Sequence, residues 1–200
     1  MKLILVRHGE TIWNQEKKIQ GSTDTALSEA GRAQAERLSL SLKNETFDAI
    51  VTSPLKRAYD TAQAIARYHD ITPRVEKDLR ELNAGAFEGL SFPEIKIRFP
   101  DFIDQWMLDR GSVVMPQGES LQGLQNRVWP VIQKIMATAQ NALVVSHSFV
   151  IITILCKIQN LSLSQSSHLR LGVASKTCLE VNNGATTFLA LNDTSHLNDT

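Results

Sequence analysis

Apolar residues along this chain occur in two patterns, and these patterns predict strands and helices. Short continuous apolar runs are typical of strands that are buried on both faces. Runs of this kind lie at 3–6 and 142–145, and 47–52 is interpreted as a second strand. Apolar residues with helical spacing predict helices over 28–42, 54–66, 119–139 and 149–158. Strands and helices are therefore expected to alternate along most of the chain.

Residues that favour or disturb helices refine these boundaries. Ser28 is a candidate N-cap for the helix over 28–42. Ser53 followed by Pro54 combines a cap residue with a proline at the first helical position. Pro130 lies inside the helix predicted over 119–139, where a proline removes a backbone hydrogen bond, so we expect a disturbance there.

The remaining segments are predicted to be turns, short strands or irregular structure. Asn182-Asn183-Gly184 is a hairpin-turn signal that joins predicted strands at 169–181 and 186–191. The aromatic-rich part at 82–118 predicts an irregular cover that contains one or two short helices. We also expect a polar loop over 9–25, a short strand at 73–75 and a frayed end over 193–200.

The order of these elements predicts the fold class. Strands that alternate with helices, followed by a terminal hairpin, are typical of a three-layer α/β/α sandwich. We expect a mostly parallel sheet with an antiparallel edge strand. Because the chain shows no internal repeat and no low-complexity linker, one domain over 1–200 is predicted, with a cover segment at about 82–118.

The composition is that of an ordinary globular protein and narrows the classes of partner. Hydrophobic residues make up 42% and charged residues 21% of the 200 positions. Lys and Arg number 21, as do Asp and Glu, and this balance argues against binding to nucleic acid. The longest apolar run, 149–156, is far shorter than the roughly 20 residues of a membrane span. Since no signal-peptide pattern opens the chain, we expect a soluble cytoplasmic protein.

Arginine and histidine side chains follow three of the predicted strands. Arg7 and His8 come directly after the first strand, Arg57 follows the second, and His147 follows the strand at 142–145. Because ligands bind at the carboxyl ends of parallel strands, we expect these side chains to converge at one edge of the sheet. Arg57 and His147 would each lie in the first turn of a helix, where free N–H groups attract anions.

Two histidines could also indicate a metal site, but the neighbouring arginines argue against one. Cationic side chains repel a metal ion and attract an anion. The chain has no HExxH motif, no metal-spaced Cys/His cluster, and neither a GxxxxGK[ST] nor a GxGxxG loop. Arginine binds phosphate bidentately, and nearby positive charge keeps an imidazole neutral and nucleophilic. The residues therefore favour a phosphate site with a histidine nucleophile over a metal site.

Several motifs occur in a characteristic order along nearly the whole chain. They are 7–14 (RHGETIWN), 20–21 (QG), 53–58 (SPLKRA), 79–82 (LREL), 116–120 (PQGES) and 144–147 (VVSH). Each motif is moderately specific, and the ordered set is very specific. The set resembles the histidine phosphatase superfamily, in its phosphoglycerate-mutase-like branch.

The resemblance implies a role for each matching residue. His8 would be the nucleophile that forms a phosphohistidine, and Glu81 would protonate the leaving alcohol and then activate water. Arg7, Arg57 and His147 would stabilise the transferred phosphoryl group. The implied phosphate-binding positions are Arg7, Asn14, Gln20, Gly21, Arg57, His147 and Ser148. Ser148 departs from the glycine that is common there in the family, and neither a metal nor an organic cofactor is implied.

Other titratable residues near these motifs are weaker candidates. Glu88 is a rival for the general acid, although a structural role in its loop is favoured. Glu10 is interpreted as a solvated loop carboxylate and Asp24 as a turn residue. The remaining histidines carry no motif and are expected at the surface: His69, His168 and His196.

The superfamily includes mutases, phosphatases and signalling proteins. The length of the cover segment bears on whether this chain is a mutase or a phosphatase. Mutases that resemble this family carry longer insertions around the pocket, whereas 88–117 is the only sizeable cover here. A phosphatase acting on a small phosphomonoester is therefore favoured. A phosphoglycerate mutase remains a less favoured alternative, and a phosphoprotein-binding regulator with little turnover is the alternative from another class. The oligomeric state does not follow from the sequence.

The aromatic part of the cover bears on the substrate. The motif at 102–106 (FIDQW), followed by 116–119, most resembles bacterial α-ribazole phosphatases of cobalamin assembly. Their substrate is a nucleotide with a flat benzimidazole base, on which Phe92, Phe102 or Trp106 could stack. Alternatively, these aromatic residues only pack the cover onto the domain, and the enzyme is a phosphoserine or broad-specificity phosphatase.

Overall fold

The computed structural model describes residues 1–182 and 185–198, and its centre is a six-stranded mixed sheet. The strands are β1 (Lys2–Arg7), β2 (Ala49–Thr52), β3 (Arg74–Val75), β4 (Asn141–Ser146), β5 (Lys176–Asn182) and β6 (Ala185–Asp193). Their order in space is β3-β2-β4-β1-β5-β6. The first four strands pair in parallel, whereas β5 runs antiparallel to β1 and to β6. The expected mostly parallel sheet with an antiparallel edge is confirmed.

Helices cover both faces of this sheet. The α-helices are α1 (Ile12–Gln15), α2 (Glu29–Leu42), α3 (Lys56–Ala66), α4 (Phe92–Arg98), α5 (Pro100–Leu108), α6 (Leu121–Thr138) and α7 (Ser148–Ile158). Helices α2 and α3 pack on one face, and α6 and α7 pack on the other. The cover segment contains α4 and α5, as predicted. In the part of the chain that the structure describes, no helix combines the length and the apolarity that crossing a bilayer requires.

Alternating residues of β1 explain why the sheet needs a layer on each side. Ile4 and Val6 belong to the core formed with α2 and α3, whereas Leu3 and Leu5 belong to the core formed with α6 and α7. All four side chains are fully buried. Successive side chains of a strand point to opposite faces, so an apolar run of this kind requires cover on both. The expected three-layer sandwich is confirmed.

The prediction that Ser53 caps α3 is wrong, because the helix begins at Lys56 and Leu55 is at the N-cap position. The side chain of Leu55 makes no capping hydrogen bond. The Ser53 N–H continues the strand pairing by donating to the carbonyl of Val145, at 3.1 Å, and a residue before proline is in any case disfavoured in helical conformation. Asp24, interpreted as a turn residue, instead accepts the N–H of Lys56 at 2.6 Å and so binds the start of α3.

The disturbance expected at Pro130 does not occur, and α6 is continuous from Leu121 to Thr138. Pro130 lies on the exposed side of the helix. The carbonyl of Asn126, which loses its partner at the proline, is on an exposed residue and can therefore bind water.

Two predictions for the C-terminal part of the chain are also wrong. The strand expected over 169–181 begins only at Lys176, because 163–168 form a 3₁₀ helix and 169–175 form a loop. Within the described part of the end expected to fray, Ser195–Leu197 form a 3₁₀ helix whose last carbonyl accepts from Arg37 Nη1 at 2.8 Å, whereas positions 199 and 200 lie outside the described residues. Positions 183 and 184 of the predicted hairpin turn lie outside the described residues.

Candidate active site

The carboxyl ends of β1 and β4 bring two histidines together. Arg7 is the last residue of β1 and His8 follows it, while His147 follows β4. The His8 N–H donates to the carbonyl of Ser146 at 3.0 Å, which extends the pairing of the two strands beyond their ends. The ring centroids of His8 and His147 are 5.2 Å apart. Arg57, from the first turn of α3, joins them and is fully buried.

The hydrogen bond of the His8 ring defines its tautomer. Nδ1 lies 2.7 Å from the carbonyl oxygen of Gly9, and a carbonyl can only accept, so Nδ1 carries the proton. Nε2 of the neutral ring then holds the free lone pair. Burial, together with the charges of Arg57 and Arg7, holds the pKa of His8 well below its usual value. At neutral pH, His8 is therefore an uncharged imidazole whose Nε2 can act as a nucleophile.

Backbone carbonyls orient the two arginines. Arg57 donates from Nη1 to the carbonyl of Thr23 and from Nη2 to that of Gly21, each at 2.8 Å. Arg7 donates from Nη1 to the carbonyl of Leu171 at 2.6 Å. The Nε of each arginine is buried and has no hydrogen-bond partner within residues 1–182 and 185–198. Buried N–H donors of this kind require an acceptor, and a phosphate oxygen is a suitable one.

Both arginines nevertheless remain charged near neutral pH. Burial lowers the pKa of Arg57 to about 10, with the carboxylate of Glu81 opposing the change. Burial also lowers the pKa of Arg7, again opposed by Glu81. Two guanidinium charges beside two neutral imidazoles make this edge of the sheet an anion-binding site.

His147 is fully buried beside His8 and, unlike His8, does not line the cavity at this edge of the sheet. Its Nε2 is 2.7 Å from Oγ of Ser53, and its Nδ1 is buried with no partner among the described residues. Burial and the neighbouring positive charges, Arg57 foremost, hold the pKa of His147 well below its usual value. The sequence analysis missed Ser53 as a site residue. The only available signal was its place in the motif at 53–58, which was assigned to helix capping.

The Glu81 carboxyl reaches the site of the two histidines and two arginines from the loop before the cover segment. One oxygen accepts the N–H of Leu82 at 2.9 Å, and the other accepts the N–H of Phe149, in the first turn of α7, at 3.2 Å. Burial raises the pKa of Glu81, while these two hydrogen bonds and Arg57 oppose the shift. A carboxyl with a raised pKa holds its proton to higher pH than usual and can serve as a general acid.

The two other carboxylates are engaged elsewhere. Glu88 accepts the N–H groups of Ser22 and Thr23 at 2.8 and 3.0 Å, as well as the hydroxyl groups of both residues. Its function is therefore to hold the loop at 20–23 in place. Glu10 accepts from the side chains of Gln15 and Ser28. It is half-buried, and these bonds tie it to its own loop.

Four further residues that the resemblance placed at the phosphate do line the cavity: Asn14, Gln20, Gly21 and Ser148. Asn14 Oδ1 accepts the N–H of Thr11 at 3.0 Å, which leaves its amide NH₂ as the donor that it can offer. Gly21 has φ of +53°, and a Cβ there would lie 2.2 Å from the Glu88 carboxylate. Only glycine fits at that position without displacing Glu88.

The cavity itself has a volume of about 280 Å³, and its lining is of two chemical kinds. Arg7, His8, Arg57 and Glu81 form its charged and polar part. Apolar and aromatic side chains form the other part: Ile19, Leu82, Phe87, Phe92, Ile95, Phe102, Ile103, Trp106, Met115 and Phe149. A substrate with a charged phosphate and a flat apolar body matches this division.

The aromatic side chains of the apolar part also pack on one another. Phe102 stacks on Trp106 with ring centroids 5.8 Å apart, and Phe87 meets Phe102 edge-on at 4.6 Å. Trp106 meets Phe149 of α7 edge-on at 6.3 Å. These contacts join the cover segment to the body of the protein, so packing and lining of the cavity are performed by the same residues.

The remaining histidines differ from one another in exposure. His168 is exposed as expected, whereas the surface prediction is wrong for His69 and His196, which are half-buried. His69 packs edge-on against Phe47, and His196 Nε2 lies 3.1 Å from the carbonyl of Ala174. Within 1–182 and 185–198, no three His, Cys, Asp or Glu side chains lie close enough together to hold a metal ion.

The site geometry agrees with a family profile that spans almost the whole chain. The profile of the histidine phosphatase superfamily (branch 1) matches residues 3–194. This chain belongs to the histidine phosphatase superfamily. It is a phosphatase, and its substrate is a small phosphomonoester.

Three similar proteins differ in their named substrates. Phosphoserine phosphatase 1 of Hydrogenobacter thermophilus is 32% identical over 100% of this chain and 95% of its own length. The structure of a putative α-ribazole-5′-P phosphatase from Escherichia coli has a TM-score of 0.89, at 26% identity, over 97% of each chain. A mycobacterial glucosyl-3-phosphoglycerate phosphatase in complex with VO3 has a TM-score of 0.86, at 29% identity, over 96% of this chain and 98% of its own.

Proposed function

We propose that this phosphatase hydrolyses α-ribazole 5′-phosphate through a phosphohistidine on His8. The observation that carries the choice of substrate is the aromatic part of the cavity lining. A benzimidazole base is flat and apolar, and Phe92, Phe102 and Trp106 offer aromatic surface of the same kind. The phosphate would then lie at the charged part, between Arg7 and Arg57.

In the first step, Nε2 of His8 attacks phosphorus in line with the leaving oxygen. The P–N bond forms as the P–O bond to the alcohol breaks, and Glu81 gives its proton to the departing oxygen. Arg7, Arg57 and Nδ1 of His147 donate to the phosphoryl oxygens, where negative charge is concentrated. Asn14, Gln20, the Gly21 backbone and Ser148 complete the proposed phosphate-binding residues.

In the second step, water attacks the phosphohistidine. The Glu81 carboxylate takes a proton from that water, the P–N bond breaks, and its electron pair returns to Nε2 of His8. Inorganic phosphate leaves, and Glu81 is protonated again for the next cycle. The same carboxyl thus serves as acid and then as base, and its raised pKa suits both roles.

The charges around the cavity favour an uncharged leaving alcohol. Phosphoserine carries a carboxylate, which would need a cation of its own. Of the cations that line the cavity, Arg7 and Arg57 are the proposed partners of the phosphate. Lys18, the third, is paired with Glu16 at 2.8 Å. A neutral nucleoside makes no such demand.

Phosphoserine is the second candidate, and Lys18 is the observation that favours it. Solvent screens an exposed ion pair such as Lys18–Glu16 and makes it weak, so a substrate carboxylate can compete for the lysine. The identity of 32% to a phosphoserine phosphatase over the full chain adds to this case.

The test is a comparison of kcat/KM for α-ribazole 5′-phosphate, phosphoserine, 3-phosphoglycerate and phenyl phosphate. We expect α-ribazole 5′-phosphate to exceed the others by at least about 100-fold, which is about 2.7 kcal/mol in the transition state. Trp106→Leu should lower that preference, and Lys18→Met should leave it unchanged. A preference for phosphoserine that Lys18→Met abolishes would establish the second candidate instead.

A further inference from the structure

Outside the cavity, a half-buried ion pair between Arg127 and Glu119 is attached to the loop that carries Glu81. Arg127, in the second turn of α6, donates from Nη1 to the carbonyls of Asp78 and Arg80, at 2.6 and 2.9 Å. Its Nη2 donates to the carbonyl of Glu81 itself, at 3.0 Å. One guanidinium therefore fixes three carbonyls of the same loop.

Glu119 completes the attachment from the turn that precedes α6. Its carboxylate is bidentate on Arg127, with Nε–Oε2 and Nη2–Oε1 distances of 3.1 and 2.6 Å. The same Oε1 accepts the N–H of Asn83 at 2.8 Å, and the Glu119 N–H donates to the carbonyl of Asn83 at 3.0 Å. The pair thus holds the loop on both sides of Glu81.

The loop needs such an attachment because it belongs to no sheet or α-helix. It includes the end of the 3₁₀ helix Lys77–Leu79 and leads to the 3₁₀ helix Gly85–Phe87. Apart from the Arg127–Glu119 pair, the carbonyl of Leu79 is held by Oγ of Ser146, at 2.8 Å. The carboxyl of Glu81 is bound at its far end by two N–H groups, so movement of its backbone would change where the proton points.

We propose that Arg127 and Glu119 are positioning residues that hold the Glu81 carboxyl at the leaving oxygen. This inference rests on the proposed role of Glu81 as general acid. Neither residue lines the cavity, and both act through the backbone of the loop at 78–83. Their loss should slow the reactions that need a proton on the leaving group, and should spare those that do not.

The experiment is a leaving-group series measured for Arg127→Met and Glu119→Gln. p-Nitrophenyl phosphate has a leaving group that departs without a proton, whereas benzyl phosphate releases an alkoxide that needs one. General acid catalysis contributes about 10²- to 10⁴-fold. We expect kcat/KM for benzyl phosphate to fall about 10-fold or more in each variant, and that for p-nitrophenyl phosphate to fall less than about 3-fold.

Two controls separate positioning from general damage. Arg37→Met also removes a guanidinium hydrogen bond to a backbone carbonyl, that of Leu197, and should leave kcat/KM unchanged for both substrates. Arg127→Lys keeps the charge without the planar fork, so it should recover part of the benzyl phosphate activity. Thermal unfolding of each variant shows whether it is folded, and Glu119→Gln decides the question if Arg127→Met does not fold.

An equal fall for both substrates in the folded variants would overturn the positioning role, as would no fall for either. Glu81→Gln in the same series tests the underlying assignment. If Glu81→Gln slows both substrates equally, the general acid is a different group, and the proposed mechanism fails before the Arg127–Glu119 pair is considered.

Discussion

Oγ of Ser53 lies 2.7 Å from Nε2 of His147, although the two residues are 94 positions apart in the chain. Strand pairing brings them together, because the Ser53 N–H donates to the carbonyl of Val145 at the end of β4. Oγ of Ser53 also accepts the N–H of Leu55, at 3.3 Å. Its hydroxyl proton is then free to bind Nε2, which leaves the His147 proton on Nδ1, the ring nitrogen with no partner in the described part of the chain.

Ser53→Ala is therefore expected to lower both stability and activity. The variant leaves a buried ring nitrogen without its partner, which costs about 1–3 kcal/mol in the free energy of unfolding. Ser39→Ala is the matched control, because Ser39 is also fully buried but its hydroxyl binds only the carbonyl of Glu36 in its own helix. Urea denaturation and kcat measure the two effects. Equal losses of kcat in the two variants would contradict a specific role for Ser53.

His8→Gln is expected to abolish turnover, since the amide keeps polarity but has no nucleophilic lone pair on nitrogen. The fall in kcat should be about 10³-fold or more, as for other nucleophile deletions. In the parent enzyme, rapid quenching under alkaline conditions should trap an acid-labile phosphoenzyme, and His8→Gln should yield none. His168→Gln changes an exposed histidine and serves as the control. Trapping of the same phosphoenzyme in His8→Gln would move the nucleophile elsewhere.

The two carboxylates near the motif at 79–82 should differ in their effect on the pH profile. The pKa of Glu81 is raised by burial, so the parent enzyme should lose activity on the alkaline side as Glu81 loses its proton. Glu81→Gln should lower kcat about 100-fold and remove that limb. Glu88→Gln weakens the loop at 20–23 and should keep the limb. If Glu88→Gln removes the limb and Glu81→Gln retains it, the acid is Glu88.

Glu81→Gln should also stabilise the folded protein at neutral pH. The folded-state pKa of Glu81 lies above its ordinary value of 4.5, so the folded state binds the proton more tightly than the unfolded state. The stability that this provides is complete below pH 4.5 and is lost as pH rises through the folded-state pKa. The uncharged amide avoids the loss, and thermal unfolding at pH 7 should show a higher Tm. A lower Tm would mean that the hydrogen bonds from Leu82 and Phe149 to the carboxylate outweigh the cost of burying its charge.

The two buried histidines have the opposite effect on stability. Their folded-state pKa values lie well below the ordinary value of 6.5, so the unfolded state binds more protons in that window. The contribution of the two neutral rings to the free energy of unfolding is fully present above pH 6.5 and decreases as the pH falls below that value. Each histidine contributes a slope of up to about 1.4 kcal/mol per pH unit, which urea denaturation between pH 5 and 7 measures. A flat profile would show that both rings bind protons as readily in the folded state as in the unfolded state.

Dialysis against EDTA is expected to leave activity unchanged. The proposed steps use only the side chains of the chain and water, with Arg7 and Arg57 supplying the positive charge. Phosphate release should therefore be the same before and after chelation, and the addition of Mg²⁺, Mn²⁺ or Zn²⁺ should not increase it. Loss of activity that one of these ions restores would require a metal in the mechanism.

Sequence alone was sufficient for the fold class and for the convergence of Arg7, His8 and His147. Strand and helix periodicity are local properties, and residues that follow parallel strands must meet at one edge of the sheet. The family motifs then assigned Glu81 and the remaining site residues by resemblance. Each of these inferences depends on neighbours in sequence or on a rule of sheet topology.

Contacts between distant segments decided the rest. Ser53 was predicted to cap a helix, but the sheet places it against His147. The sequence left Glu88 open between two roles, and the loop at 20–23 gives it the structural one. The aromatic residues of the cover segment pack on one another and also line the cavity. The spacing of apolar residues in the sequence cannot show that one residue does both. A side chain's partner across the fold depends on the placement of whole elements, and only tertiary packing sets that placement.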